Sequence, residues 1–253
     1  MKKTLFLAAA AAAMMIIPAQ ADAAGRIKAR GARVNDAGGV TAVAGSCARG
    51  AAGGACRTRT VRTDGAGNAT AASGACARGA NAAGCRAATT TRNVDGSVSR
   101  NSAAGVATAT GSASRQGQYM RNADGTVSAN RSATASGQNG YYNAQSQRNP
   151  DGSAYRTVDG AYATENGSRA VSGGYTRNAD GTYSGARTTS GSNTNGAYKT
   201  DTTVSSETGL ARSGMAVGEN GSVSAETTYK RGEGGSRNIT CMDASGAVVA
   251  CPF

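Results

Sequence analysis

Six cysteines carry the chemistry that this sequence indicates most directly, because their spacing repeats. They fall into three local pairs, which are nine, nine and ten residues apart: Cys47 with Cys56, Cys76 with Cys85, and Cys241 with Cys251. Cysteines that lie opposite one another on neighbouring strands have Cα atoms about 5.5 Å apart, a separation that a disulfide spans. About fifteen pairings are formally open to six cysteines. The spacing predicts the three local ones.

Residue types for other chemistry are missing or isolated. The chain has no histidine and no Cys-x-x-Cys pair, so we expect no zinc site. Without histidine it also lacks the commonest general base and the usual activator of a serine or cysteine nucleophile. No phosphate-binding loop, dinucleotide-binding motif or EF-hand is present. The sequence therefore predicts a protein that is not an enzyme and that uses no cofactor or metal.

Arginine is the second residue type with a clear chemical use. Residues 24–92 contain ten Arg and one Lys against two Asp, whereas residues 93–253 contain fourteen basic and twelve acidic side chains. The planar guanidinium pairs bidentately with phosphate and carboxylate, so this local excess is typical of a surface that holds an anionic polymer. Arg57 and Arg59 share a face if their segment is extended. The candidate binding residues are Arg49, Arg57, Arg59, Arg62, Arg78 and Arg86.

The partner class that this charge indicates is an anionic polymer, namely lipopolysaccharide, an acidic polysaccharide or nucleic acid. An equally simple explanation is solubility, because an exposed strand edge needs charge to avoid uncontrolled pairing. The nine tyrosines, all between Tyr119 and Tyr229, also have two possible uses. They can stack on sugar rings or bases, or they can pack against the Arg and Val side chains of the next strand.

Turn dipeptides indicate which elements position these side chains. Asp-Gly pairs recur at nearly equal intervals along the chain, and Asn-Gly pairs lie between or after them. Among them are the pairs that begin at Asp64, Asp95, Asp124, Asp151 and Asp180, and at Asn139, Asn166 and Asn195. Both dipeptides favour tight hairpins, because glycine adopts a positive φ without a Cβ clash. Since period-two alternation follows the turns, the sequence predicts an all-β, antiparallel meander of hairpins, as an elongated or solenoid-like sheet.

Composition limits the core that such a meander can have. Beyond residue 23 the chain contains one Leu, two Ile, one Phe and three Met, and the formal net charge of the full sequence is +12. Few large apolar residues together with high charge are also the signature of disorder, so partial disorder is the alternative. The chain has three prolines, fewer than disordered tracts usually carry, and its alternation follows each turn. We therefore expect strands that cross-strand side-chain pairs stabilise.

The beginning of the chain has the pattern of a secretory signal peptide. Lys2 and Lys3 precede an apolar run that ends at Ile17, and small-x-small sites end at Ala21 and Ala23. We predict a signal peptide at 1–23, cleaved after Ala21 or Ala23, and export to the periplasm, the cell surface or the extracellular space. No later segment is apolar enough to span a bilayer, so we expect no transmembrane insertion.

Charge, cysteines and tyrosines divide the exported chain into three parts. Residues 24–92 form a basic, cysteine-containing repeat module, residues 93–230 form tyrosine-bearing β-hairpin repeats, and residues 231–253 form a glycine-rich joint with a disulfide-stapled cap. The sequence predicts a structural or adhesive protein whose Arg-rich N-terminal region binds anionic surface polymers. The alternative is a self-assembling subunit of an extracellular matrix or fibre.

Overall fold

The computed structural model describes residues 25–251, all of whose regular elements are β-strands. The signal peptide predicted at 1–23, together with Ala24, Pro252 and Phe253, lies outside the described residues. The predicted all-β antiparallel hairpin meander is confirmed, because consecutive strands pair with one another. The chain consists of two units, of which the first ends at Arg131 and the second begins at Ser132.

The first unit contains seven complete strands, and consecutive strands from β1 to β7 pair antiparallel. They are β1 (Gly25–Val34), β2 (Val40–Gly50), β3 (Gly53–Thr63), β4 (Ala69–Gly79), β5 (Ala82–Arg92), β6 (Val98–Thr108) and β7 (Gly111–Arg121). Strand β8 (Val127–Gly137) begins in the first unit and ends in the second.

The second unit continues the same pattern with nine further strands. They are β9 (Gly140–Arg148), β10 (Ala154–Thr164), β11 (Gly167–Arg177), β12 (Tyr183–Asn193), β13 (Gly196–Ser205), β14 (Gly209–Gly218), β15 (Gly221–Lys230), β16 (Gly234–Asp243) and β17 (Val248–Val249). From β9 to β17, consecutive strands pair antiparallel, and β17 pairs with two residues of β16, Cys241 and Met242.

One five-residue turn recurs at every second connection of the first unit. In the copy that begins at Asn93, the Asn93 N–H donates to Ser97 O at 3.0 Å and the Gly96 N–H donates to Asn93 O at 3.0 Å. Gly96 has a φ of 83°, a left-handed conformation that explains the glycine. Turns of this type begin at Asn35, Asp64, Asn93, Asn122, Asn149, Asn178 and Asp243. From Asn35 to Asn122 their starts are equally spaced, which is a more regular period than the Asp-Gly pairs suggest.

The structure corrects the role of the Asp64-Gly65 pair and of the predicted Asn-Gly pairs. Asp64 occupies the first position of its turn, where most other copies have Asn, and the glycine with left-handed φ is Gly67 rather than Gly65. At the opposite strand ends, two-residue loops such as Glu165 and Asn166 join the strands. The glycine of an Asn-Gly pair, such as Gly167, is therefore the first residue of the next strand.

We expect the aspartates in these turns to make the fold sensitive to acid. The side chain of Ser97 and then its backbone N–H lower the pKa of Asp95 by hydrogen bonding, and the corresponding partners lower the pKa of Asp124, Asp151 and Asp180. Because the folded pKa lies below the unfolded one, the stabilisation is complete above about pH 4 and is lost as the pH falls through the folded value. We expect the urea midpoint to decrease as the pH falls below about pH 4. Asn at all four positions accepts similar hydrogen bonds without titrating, so a variant with the same acid response would contradict this explanation.

Packing stabilises the strands very little. Among residues 25–251, Cys241 is the one hydrophobic side chain that is buried, with 4% of it exposed. Cross-strand side-chain pairs and disulfides therefore have to supply the stabilisation that a hydrophobic core normally provides. All three predicted bridges are present: Cys47–Cys56, Cys76–Cys85 and Cys241–Cys251. Such bridges are typical of an oxidising compartment.

Candidate anion-binding face of the first unit

The strand register of the first unit aligns residues that are one repeat apart in the sequence, so that their side chains form rows across the strands. Arg57 of β3 lies opposite Ala75 of β4, which lies opposite Arg86 of β5. Arg86 lies opposite Ala104 of β6, which lies opposite Arg115 of β7. One repeat is thus one hairpin, and equivalent residues of successive repeats lie in one row, two strands apart.

Most basic side chains of β1–β7 lie on one side of these strands, which we call the arginine face. Directly opposed residues of antiparallel strands point to the same side, so the register assigns each residue to a face. The arginine face carries Arg26, Lys28, Arg30, Arg57, Arg59, Arg86, Arg92, Arg100, Arg115 and Arg121. Strands β1–β7 contain no acidic residue, so nothing within these strands neutralises the charge.

The most regular row of the arginine face alternates basic and small residues. Its basic members are Lys28, Arg57, Arg86 and Arg115, which are equally spaced along the chain, and we call this row the basic ladder. Neighbouring strands are about 4.8 Å apart, so successive members of the ladder have backbones about 9.5 Å apart. The small residues between them are Ser46, Ala75 and Ala104. The Arg57 Nε–H donates to Ser46 Oγ at 3.0 Å, which orients this guanidinium along the row.

Small residues beside large cations create shallow depressions on this face. One, of about 390 Å³, is lined by Arg57, Arg86, Arg100 and Arg115, with Ser73 and Ser102 among its other lining residues. All four arginines are exposed. Four guanidinium groups and two hydroxyl groups thus surround one cleft. Such a set of donors is suited to phosphate, sulfate or carboxylate groups, since it contains no competing negative charge.

The six arginines predicted as binding residues separate into two groups of three. Arg57, Arg59 and Arg86 lie on the arginine face, so the predicted shared face of Arg57 and Arg59 is confirmed. Arg49, Arg62 and Arg78 lie on the opposite face. The prediction omitted Lys28, Arg100 and Arg115, which the structure brings together with the first group. The signal for Lys28 and Arg115 was present, because they extend the spacing between Arg57 and Arg86 by one equal step in each direction.

The disulfides of the first unit lie in one row on the opposite face. Cys47 is opposite Cys56, Cys56 is opposite Cys76, and Cys76 is opposite Cys85. The two bridges join β2 to β3 and β4 to β5, while backbone pairing alone joins β3 to β4 at this row. This row is directly beside the basic ladder along each strand, so the bridges hold the strands that carry Arg57 and Arg86.

The predicted parts of the chain map onto the structure in a simple way. The basic module at 24–92 contributes β1–β5 to the arginine face, and β6 and β7 add Arg100, Arg115 and Arg121. Within the described part of the chain, no helix is long and apolar enough to cross a membrane. No family model matches this chain, and no curated protein and no solved structure is significantly similar to it.

Proposed function

We propose that this chain is an exported, non-enzymatic adhesive protein whose arginine face binds an anionic surface polymer. The observation that carries the proposal is the basic ladder, which places cations at a constant interval along one exposed face of the first unit. A single ion needs one cluster of cations, whereas a repeated row suits a ligand whose charges also repeat. Lipopolysaccharide, acidic polysaccharide and nucleic acid all meet this requirement.

Charge spacing favours a polymer of moderate charge density. The members of the ladder are separated by about 9.5 Å. Double-stranded DNA presents one charge per about 1.7 Å of axis, much more densely than the ladder can match. A glycan that carries one carboxylate or sulfate on every second sugar matches a widely spaced row more closely. The three disulfides, typical of an oxidising compartment, also support a ligand outside the cytoplasm.

The direct test is the salt dependence of binding by the full-length oxidised protein. Binding to heparin, lipopolysaccharide and DNA is measured by sedimentation between 50 and 200 mM NaCl, roughly the range over which phosphate-binding proteins lose most of their affinity. Neutral dextran is the control. We expect binding to at least one polyanion, with affinity that decreases steeply as salt increases, and no binding to dextran. Absence of binding to all three polyanions, or binding that salt does not change, would refute the proposal.

Self-assembly into a matrix or fibre is the second candidate, and the exposure of apolar side chains favours it. In β1, Ile27 is 74% exposed and Val34 is 75% exposed. A strand of this kind is a template for pairing with another chain. However, β1 also carries Arg26, Lys28, Arg30 and Arg33, and such charges on an edge strand repel a second copy. Sedimentation across protein concentration distinguishes the candidates, since a monomer at all concentrations is incompatible with a fibre subunit.

A further inference from the structure

The second unit has two chemically different faces. Six of its eight tyrosines lie on one side of β9–β16, which we call the tyrosine face: Tyr142, Tyr162, Tyr175, Tyr183, Tyr198 and Tyr229. Tyr141 and Tyr155 lie on the other side. Because tyrosines on both strands of a hairpin share one side, they form a surface rather than a scattered set.

Charge follows the same division. All seven arginines of β9–β16 are on the tyrosine face: Arg148, Arg156, Arg169, Arg177, Arg187, Arg212 and Arg237. Asp159, Asp201 and Glu226 are on the opposite face. Asp243, which begins the turn at the end of β16, is the one acidic strand residue on the tyrosine side. The tyrosine face is therefore strongly cationic, although the second unit as a whole has little net charge.

Glycines hold several of the rings against the sheet. Tyr175 lies opposite Gly185, and a Cβ at Gly185 would be 3.2 Å from Cδ2 of the Tyr175 ring. Tyr198 lies opposite Gly191, where a Cβ would be 2.6 Å from Cε1 of the ring. Two further pairs share this arrangement, Tyr142 with Gly160 and Tyr229 with Gly235. Each ring thus covers the backbone of a neighbouring glycine, a known way of protecting glycine in a sheet.

These rings remain accessible from the solvent side. Tyr175 is 39% exposed and Tyr198 is 41% exposed, although each has a glycine beneath it. A ring that is fixed on one side and open on the other is a platform for stacking. It loses little conformational entropy when a ligand covers it, because the sheet already restricts its rotation.

The most complete arrangement is a cluster on β10, β11 and β12. The rings of Tyr175 and Tyr183 are stacked, with centroids 6.2 Å apart and an interplanar angle of 27°. Arg156 lies directly opposite Tyr175, and Arg177 lies directly opposite Tyr183. Both arginines are exposed. The exposed platform Tyr175 and the half-buried Tyr183 beside it are therefore each bordered by a guanidinium group on a neighbouring strand.

We propose that this cluster binds an acidic sugar of the uronic acid type, whose ring stacks on Tyr175 or Tyr183 and whose carboxylate pairs with Arg156 or Arg177. The C–H groups of a pyranose ring carry partial positive charge, which is attracted to the negative face of an aromatic ring. The guanidinium supplies a bidentate partner for the carboxylate. The inference rests on the proposed function and specifies it, because it makes an acidic glycan the polymer that the protein holds.

Other occupants of the tyrosine face fit the structure less well. A second copy facing it with the same surface would bring seven arginines against seven, so like charges would oppose this contact. Single-stranded nucleic acid also combines stacking with negative charge. However, the ring centroids of Tyr175 and Tyr183 are only 6.2 Å apart, which is too close for a base to insert between the two rings. The oxidising compartment that the disulfides indicate also favours a glycan.

The experiment compares full-length, oxidised double variants with the parent chain. Y175V/Y183V removes both rings of the cluster and keeps residues that favour strands. Y141V/Y155V removes two rings from the opposite face as the matched control. Y175F/Y183F keeps the rings and removes only the hydroxyl groups. The probes are a galacturonic acid oligosaccharide and an oligothymidylate with the same number of charges, and binding is followed by tyrosine fluorescence, since the chain has no tryptophan.

We expect Y175V/Y183V to bind the galacturonic acid oligosaccharide about tenfold more weakly and to bind oligothymidylate within about twofold of the parent. Y175F/Y183F and Y141V/Y155V should resemble the parent with both probes. Equal weakening with both probes, or a larger loss with oligothymidylate, would overturn the inference. If the parent binds both probes and Y175V/Y183V changes neither, the inference fails while the proposed function stands. If the parent binds neither probe nor any polyanion, the proposed function fails first.

Discussion

Replacing Arg57, Arg86 and Arg115 together with Gln should weaken binding to a polyanion by roughly 100-fold at low salt, if each exposed contact contributes about 1 kcal/mol. These three residues occupy one row of the arginine face, and successive members of the row are two strands apart. Glutamine keeps the length and polarity of the side chain and removes the charge. With double-stranded DNA as the probe, the slope of log affinity against log salt should decrease in magnitude by about 2.7 for three lost contacts.

A matched triple variant on the opposite face separates position from net charge. Arg33, Arg62 and Arg78 are exposed and lie on the opposite side, which carries the row of disulfide-bonded residues of the first unit. We call that row the cystine row; it consists of Cys47, Cys56, Cys76 and Cys85. Replacing the three arginines with Gln changes the net charge of the chain by the same three units. We expect this variant to keep most of the affinity and most of the salt slope of the parent. Equal loss in the two triple variants would mean that long-range charge, rather than the basic ladder, determines binding, and it would contradict the assignment of the site.

Because the sequence is repetitive, much of this fold could be predicted from it. Cys47 and Cys56 could be paired from their spacing because a hairpin brings residues nine apart onto neighbouring strands. The strands could be placed because turn residues recur at a nearly constant interval. The dipeptides indicate the period of the turns less accurately, because Asp64 and Asp95 both precede glycine but occupy different positions of their turns. The hydrogen bonds of the turn, and not its dipeptide, define the repeat.

The positions of the strands could be predicted more easily than the side of the sheet on which each side chain lies. The reason is geometric. The two-residue loop between β2 and β3 places Arg49 opposite Gly54, so an odd-numbered residue of β2 shares a face with an even-numbered residue of β3. Parity therefore related Arg57 to Arg59 within one strand but could not relate either of them to Arg49 without the loop length. The packing of Tyr175 on Gly185 depends in the same way on register across strands. The basic ladder additionally requires that successive hairpins are not displaced along the strand direction.

Removing both disulfides of the first unit should have the largest effect on stability. Each bridge closes a short loop, and the chain-entropy estimate for such a loop is about 2.6 kcal/mol, so replacing Cys47, Cys56, Cys76 and Cys85 with Ala should lower the free energy of unfolding by about 5 kcal/mol. That is comparable with the whole stability of many domains, about 5 to 15 kcal/mol. The first unit has no buried hydrophobic side chain among its described residues to compensate. We expect its strands to unfold at much lower urea concentration, as measured by circular dichroism.

Two further variants test whether the loss belongs to the cystine row. Replacing Cys241 and Cys251 with Ala removes one bridge of the second unit and should leave the unfolding of the first unit unchanged.

Replacing only Cys47 and Cys85 leaves Cys56 and Cys76 directly opposite one another on β3 and β4. Opposed residues of antiparallel strands have Cα atoms about 4.5 to 5.5 Å apart, within the range that a disulfide spans. This variant should form the Cys56–Cys76 bridge on oxidation. It should recover about half of the stability that the variant without all four cysteines loses, because one disulfide then replaces two. Failure of Cys56 and Cys76 to oxidise, shown by mass mapping without reduction, would contradict the register of β3 and β4 on which the basic ladder also depends.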